Sequence, residues 1–341
     1  MSAKETSMKF RLTCLAILAA ATCAAQTYTV TDLGTLPGGA STGARAINAT
    51  AQITGFAYSS SSTANVFLYS SGTLNNLGTL GGNTGIGNGI NSSGAVAGYS
   101  TDSTGTYRAF VSSGSTLTNI GDLGGGSAVA YAINDAGQVV GSAVTSKGEN
   151  HPFLYSGGQM LDLGTLGSSG NNWWNSAQGI NNSGAVVGTS YDATGNFFGF
   201  VWSNGTMQKV GTLGGPWSQG YAINNKGQIT GLAYTKNRSA HGFIANGPRA
   251  PLHDLGTFAG AFSSVWGFAI NDSGVVVGQS TFAGTYHAFV YSGGKIKDLN
   301  KLIPAGTGWV LITANGINNA GQIVGQGTVN GKTHGFLLTP Q

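Results

Sequence analysis

Cysteine is nearly absent: the 341 residues hold only Cys14 and Cys23, both close to the start. The remainder can therefore build no disulfide framework and no thiolate site. Charge is scarce as well, at 8% of residues. Setting aside residues 1–25, with Lys4, Lys9, Arg11 and Glu5, leaves 15 − 3 = 12 basic and 11 − 1 = 10 acidic residues. A net +2 without a basic run gives no electrostatic footprint for nucleic acid. Beyond residue 25 there is a single glutamate, Glu149. Long apolar runs are missing too. Residues 12–22 are apolar but too few to span a bilayer, so no membrane span is expected.

That short run fits an export signal instead. Met8 to Arg11 supply its basic part, residues 12–22 its apolar part, and Cys23-Ala24-Ala25 a small-residue cleavage site. The effective start reads as Met8. Residues 1–25 are expected to be removed, leaving a secreted or periplasmic chain, 26–341, of one domain. Lipidation at Cys23 is the alternative, but Ala20-Ala21-Thr22 matches a lipobox poorly.

What the chain has in plenty is glycine, 58 residues, and a repeated phrase. An asparagine preceded by Ile and a small residue recurs as Asn48, Asn91, Asn134, Asn181, Asn224, Asn271 and Asn318, at steps of 43, 43, 47, 43, 47 and 47 residues. Periods of this length mark propellers or solenoids. In the third copy, residues 129–134 and 138–143 read as strands around an Asn-Asp-Ala-Gly turn. Residues 151–156 and 159–166 form a hairpin across Gly157-Gly158, where both positions tolerate positive φ. Each repeat is thus a four-stranded antiparallel meander.

Two features require the repeats to stack. The third strand carries Phe67, Phe110, Phe153, Phe200, Phe243, Phe289 and Phe336, one per repeat. A Phe buries on the order of 150–250 Å², more than an isolated meander can cover. The residue before each Ile is only Ala or Gly, which suits an inner strand crowded around an axis. The chain also begins with a lone fourth strand, 28–36, and ends with a third strand, 334–339, that lacks its fourth. The expected fold is all-β: a seven-bladed β-propeller, four antiparallel strands per blade, closed when the N-terminal strand completes the last blade.

A covariation within the chain supports closure. The third strand opens with His151, His241, His287 and His334, and the fourth strands of those same blades carry Asp162, Asp254, Asp298 and, across the closure, Asp32. The other blades have Asn65 with Asn76, Arg108 with Asn119 and Phe198 with Lys209. Co-varying pairs imply contact. The four His–Asp sets read as structural hydrogen bonds.

The phrases AINDSGVVVGQS (269–280), HAFVYSGG (287–294) and LDLGTLG (161–167) resemble the HAF-repeat family of extracellular bacterial proteins. The resemblance spans residues 28–339. Arg108, Phe198 and Asn65 depart from it where the family has His. It implies secretion and a repeat array, and brings no activity with it.

Catalytic groups are hard to find. Asp135 and Asp272 occupy the turn where other repeats use Asn. That leaves Asp102, Asp122, Glu149 and Asp192, and glycosidase chemistry needs two carboxylates facing one bond. Asp102 and Asp192 lie in equivalent loops two blades apart and could meet only across a channel mouth. One His per blade is the wrong arrangement for a metal, and His253 stands alone. No metal or cofactor is expected. Trp173, Trp174, Trp217, Trp266 and Trp309 fall in connectors between a fourth strand and the next first strand. They read either as wedges between blades or as an aromatic platform for a ligand. The expected function is a monomeric, non-catalytic binding or scaffold protein whose partner is a glycan or a cell-envelope surface component. The alternative is a propeller-type carbohydrate-active lyase or hydrolase.

Overall fold

The computed structural model describes residues 27–60, 63–168, 174–258 and 264–341. The expected export segment, residues 1–25, lies outside them. The described chain is all-β apart from one 3-10 turn, Leu299–Lys301. Its unit is the four-stranded antiparallel meander. The third copy runs Gly124–Ile133, Val139–Thr145, Asn150–Ser156 and Gln159–Asp162, paired in that order. The first two meanders share one eight-stranded sheet through a single parallel bridge, Ala64 to Thr84.

The fourth strand is shorter than its residue pattern suggests. It ends at Asp162 instead of 166, because Asp162 Oδ1 accepts the Gly164 N–H at 2.8 Å and turns the chain. The leading strand stops at Asp32 for the same reason, with Gly34 N–H at 2.8 Å. Gly157 and Gly158 both have positive φ, 59° and 86°, as the tight hairpin requires.

Tyr28–Asp32 pairs antiparallel with the last strand, Lys332–Pro340, from Tyr28 opposite Pro340 to Asp32 opposite Phe336. The core lies between neighbouring meanders. All seven third-strand Phe side chains are fully buried. Phe153 packs with Ala97 and Ala109 of the preceding meander, Phe200 with Val140 and Leu154. Phe67 of the first meander packs with Val324 of the last.

Each recurrent Asn ties its own turn to the next meander. Asn134 Oδ1 accepts the Gln138 N–H at 2.9 Å, and its Nδ2 donates to the Asn181 carbonyl at 3.0 Å. The same donor bond runs from each Asn to the next, at 2.9 to 3.3 Å, and Asn318 donates to the Asn48 carbonyl at 3.1 Å. The series returns to its starting residue.

Candidate functional site

Every first strand contains a β-bulge at one position. In the third meander the pairing skips from Ala130 opposite Gly141 to Ala132 opposite Val140, leaving Tyr131 unpaired. The same skip leaves out Arg45, Asn88, Gln178, Tyr221, Phe268 and Asn315. Each is three residues before its ring Asn. A bulge kinks the strand and re-aims the extra side chain. Here all seven re-aimed side chains line one cavity of about 460 Å³, with Tyr99, Gln279 and Thr313 beside them.

The glycine across the sheet makes the bulge possible. A Cβ on Gly141 would lie 2.0 Å from the Val129 carbonyl oxygen and 2.8 Å from Phe153 Cε1. Glycine holds this second-strand place in every meander, for example Gly55, Gly188 and Gly278, each with the opposing carbonyl within 2.1 Å of the missing Cβ.

Deeper in, the same bulge residues border a narrower section with the small Ala or Gly residues and the Ile side chains. Those Ile side chains in turn border a third section beside the Asn ring. Sharing those residues in turn, the three sections line up as a channel along the first strands. First strands run from the connectors toward the tight turns, so the bulge residues guard the mouth on the connector side.

The mouth is polar and aromatic, with one cation. Asn88 Nδ2 donates to the Ala130 carbonyl at 2.8 Å, and Asn315 Nδ2 to the Ala44 carbonyl at 2.8 Å, each bracing the neighbouring meander. Gln178 Nε2 donates to Ser176 Oγ at 2.8 Å, and Tyr221 OH donates to Gln219. The Tyr221 and Phe268 rings sit 5.7 Å apart. Burial pushes the hydroxyl pKa of Tyr131 and Tyr221 up, so both are neutral donors at physiological pH. Arg45 lies 5.6 Å over the Phe56 ring.

The tryptophans separate into different roles. Trp217 and Trp266 lie within first strands, Gly214–Ile223 and Val265–Ile270, and Trp309 begins another, Trp309–Ile317. Their placement in connectors is thereby corrected: these first strands start earlier than the apolar pattern suggests. Trp309 stands edge-on to buried Phe336, 6.0 Å between centroids, as a wedge. Trp266 meets Tyr286 edge-on. Trp174 is in a connector and 55% exposed. It stacks on Phe197, which also stacks on Trp217 at 5.1 Å. Trp173 lies outside the described residues.

The four histidines each face their aspartate. Nδ1 of His151, His241 and His334 lies 2.8 Å from Asp162, Asp254 and Asp32, and that of His287 lies 2.9 Å from Asp298. Arg108 instead bonds Asp102 at 2.8 Å, and Lys209 Nζ sits 3.0 Å over the Phe198 ring. His253 Nε2 is 2.9 Å from the Tyr291 hydroxyl.

Asp102 and Asp192 close their own loops. Thr104 and Thr194 donate hydroxyl bonds to them at 2.6 Å, and Arg108 and Lys209 lie at 2.8 and 3.4 Å. The threonine bonds lower both carboxyl pKa values, with Arg108 adding to the effect at Asp102 and Lys209 at Asp192. Both are held ionised, opposite to what a general acid requires. Among the described residues no three His, Cys, Asp or Glu side chains gather as a metal site, and no helix is long and apolar enough to cross a membrane.

Comparison with known proteins finds likeness in shape. A puromycin-hydrolyzing peptidase of Mycobacterium tuberculosis is 10% identical with a TM-score of 0.55, over 84% of this chain and 48% of that one. The acylaminoacyl peptidase of Pyrococcus horikoshii is 11% identical with a TM-score of 0.51, over 92% of this chain and 52% of that one. The chain spans about half the length of each. The shared feature is the β-propeller fold. No family model and no curated protein matches the sequence.

The bulge residues escaped the sequence reading, although a signal was present. Within the phrase that ends in Ile-Asn, the residue three before Asn changes freely among Arg, Asn, Tyr, Gln and Phe, beside neighbours restricted to Ala or Gly. A variable position flanked on both sides by restricted ones is where specificity would sit.

Proposed function

We propose that the chain is an exported, monomeric, closed seven-bladed β-propeller that binds a glycan or a cell-envelope component without turning it over. The observation that carries this is the convergence of seven bulged, variable side chains on one cavity. Functional side chains placed on a rigid scaffold are the usual design of a binding site. Closure is supported by the Asn318–Asn48 bond and by the pairing of Tyr28–Asp32 with Lys332–Pro340. Export is supported by residues 8–25, and the HAF-repeat resemblance by the phrases from 28 to 339. The single domain is 26–341.

A glycan is favoured over a protein partner because the mouth combines amides with aromatic faces. Amides match sugar hydroxyls, and rings match sugar C–H faces. The exposed Trp174–Phe197–Trp217 stack offers a second aromatic surface on the same side. The structural His–Asp pairs serve the blades, as do Asp102 and Asp192.

A glycan array combined with a polysaccharide turnover panel tests the proposal. Binding without turnover is expected. Turnover abolished by Asp102→Asn or Asp192→Asn would replace it with a lyase or hydrolase.

A further inference from the structure

We propose that Arg45 makes the channel mouth a site for a carboxylated sugar, a uronic-acid residue bound carboxylate-first. The proposal rests on the glycan-binding reading, and is independent of the aromatic stack at Trp174.

Charge distribution is the starting point. Arg45 is the one charged residue among the seven bulge positions. Among the described residues no carboxylate lies within ion-pair distance of it; it sits over the Phe56 ring and close enough to Tyr99 to interact with it electrostatically. Arg108, the other arginine set inside a meander, has Asp102 at 2.8 Å and Asp122 at 3.9 Å. Arg45 keeps surface exposed to the channel, while the Tyr and Phe rings around it are half-buried and the surrounding protein partly desolvates the guanidinium, lowering its pKa from a high starting value. A cation aimed into a recess with neutral walls focuses its field on whatever enters.

Ligand class follows from the donor set. A guanidinium pairs with a carboxylate through two parallel bonds. With one cation in the mouth and no helix N-terminus, a single negative charge is balanced and a phosphate dianion is not. Asn88 keeps its Oδ1 for a sugar hydroxyl, since its Nδ2 is spent on the Ala130 carbonyl. The Tyr221–Phe268 pair offers ring faces within the same cavity. A volume of about 460 Å³ admits one or two sugar rings.

Isothermal titration calorimetry of the whole exported chain decides it, with galacturonate and glucuronate oligomers, their methyl esters, and a 6-sulfated galactose as probes. The acids should bind, and the neutral esters should bind about tenfold more weakly or worse. Arg45→Gln should lose the same factor for the acids while melting like wild type, and Arg45→Lys should recover part of it. Equal affinity for acid and ester, or unchanged acid binding by Arg45→Gln, overturns the proposal. So does tighter binding of the sulfated sugar. If no acid binds but the array finds a neutral glycan, this inference falls and the glycan-binding reading stands. If nothing binds on either, both fall.

Discussion

A carboxamide is the one side chain that can serve each ring position. Its oxygen accepts main-chain N–H groups of its own turn, and its nitrogen donates to the next Asn carbonyl, as at Asn224 with Gln228 N and Asn271 O. Aspartate keeps the first role and loses the second. Asn224→Asp should therefore destabilise the protein by about 1–3 kcal/mol in chemical denaturation. The tryptophans should divide by environment. Trp309→Ala, next to the buried Phe336 core, should cost about 3 kcal/mol. Trp174→Ala should stay within about 0.5 kcal/mol, and thermal melts of the two separate a wedge from a surface group. The recurrence of Asn and Phe was plain in the sequence. The direction of Tyr131 or Arg45 was not, because a bulge is a backbone event that leaves the apolar pattern intact.

At the level of the turn, a second ladder crosses five junctions between meanders. In five meanders the residue after the recurrent Asn accepts the main-chain N–H of its counterpart in the preceding meander: Asp135 from Ser92, Asn182 from Asp135, Asn225 from Asn182, Asp272 from Asn225 and Asn319 from Asp272, at 2.8 to 3.1 Å. These bonds explain why Asp and Asn interchange there. They also hold the Asp135 and Asp272 carboxyls below the ordinary range; the main-chain bond from Ser92 leads at Asp135, and at Asp272 the bonds from Asn319 and Asn225 outweigh desolvation. A carboxyl depressed in the folded state stabilises above its unfolded pKa, about 3.9, and that contribution is lost as pH falls through the folded value. Stability should thus fall below about pH 4. The double variant Asp135→Asn, Asp272→Asn should fold at neutral pH, since Asn fills the same place at Asn182, and should lose less of its melting temperature between pH 7 and pH 3. The meander itself was legible from alternation and Gly-Gly hairpins. Strand ends were not, because side-chain bonds such as Asp162 to Gly164 decide them.

Across the whole molecule, the repeats meet at one recess lined by their bulged side chains. Removing residues 27–36 strips Tyr28, Leu33 and Leu36 from the core and bares the edge of Lys332–Pro340. That truncation should cost about 3 kcal/mol or more and promote association through the unpaired edge, visible in a lower melting temperature and in light scattering. The repeated phrase and the lone terminal strands made the meanders and the pairing of Tyr28–Asp32 with Lys332–Pro340 readable from the chain alone. The recess was not readable, since it exists only where seven distant bulges meet. A crystal structure of the protein with a bound galacturonate oligomer tests that meeting most directly. The account predicts the sugar in the channel mouth, its carboxylate within hydrogen-bond reach of the Arg45 guanidinium and its ring against Tyr221 or Phe268. A mouth left empty, with the sugar on the Trp174–Phe197–Trp217 stack or on the outer strands, would contradict it.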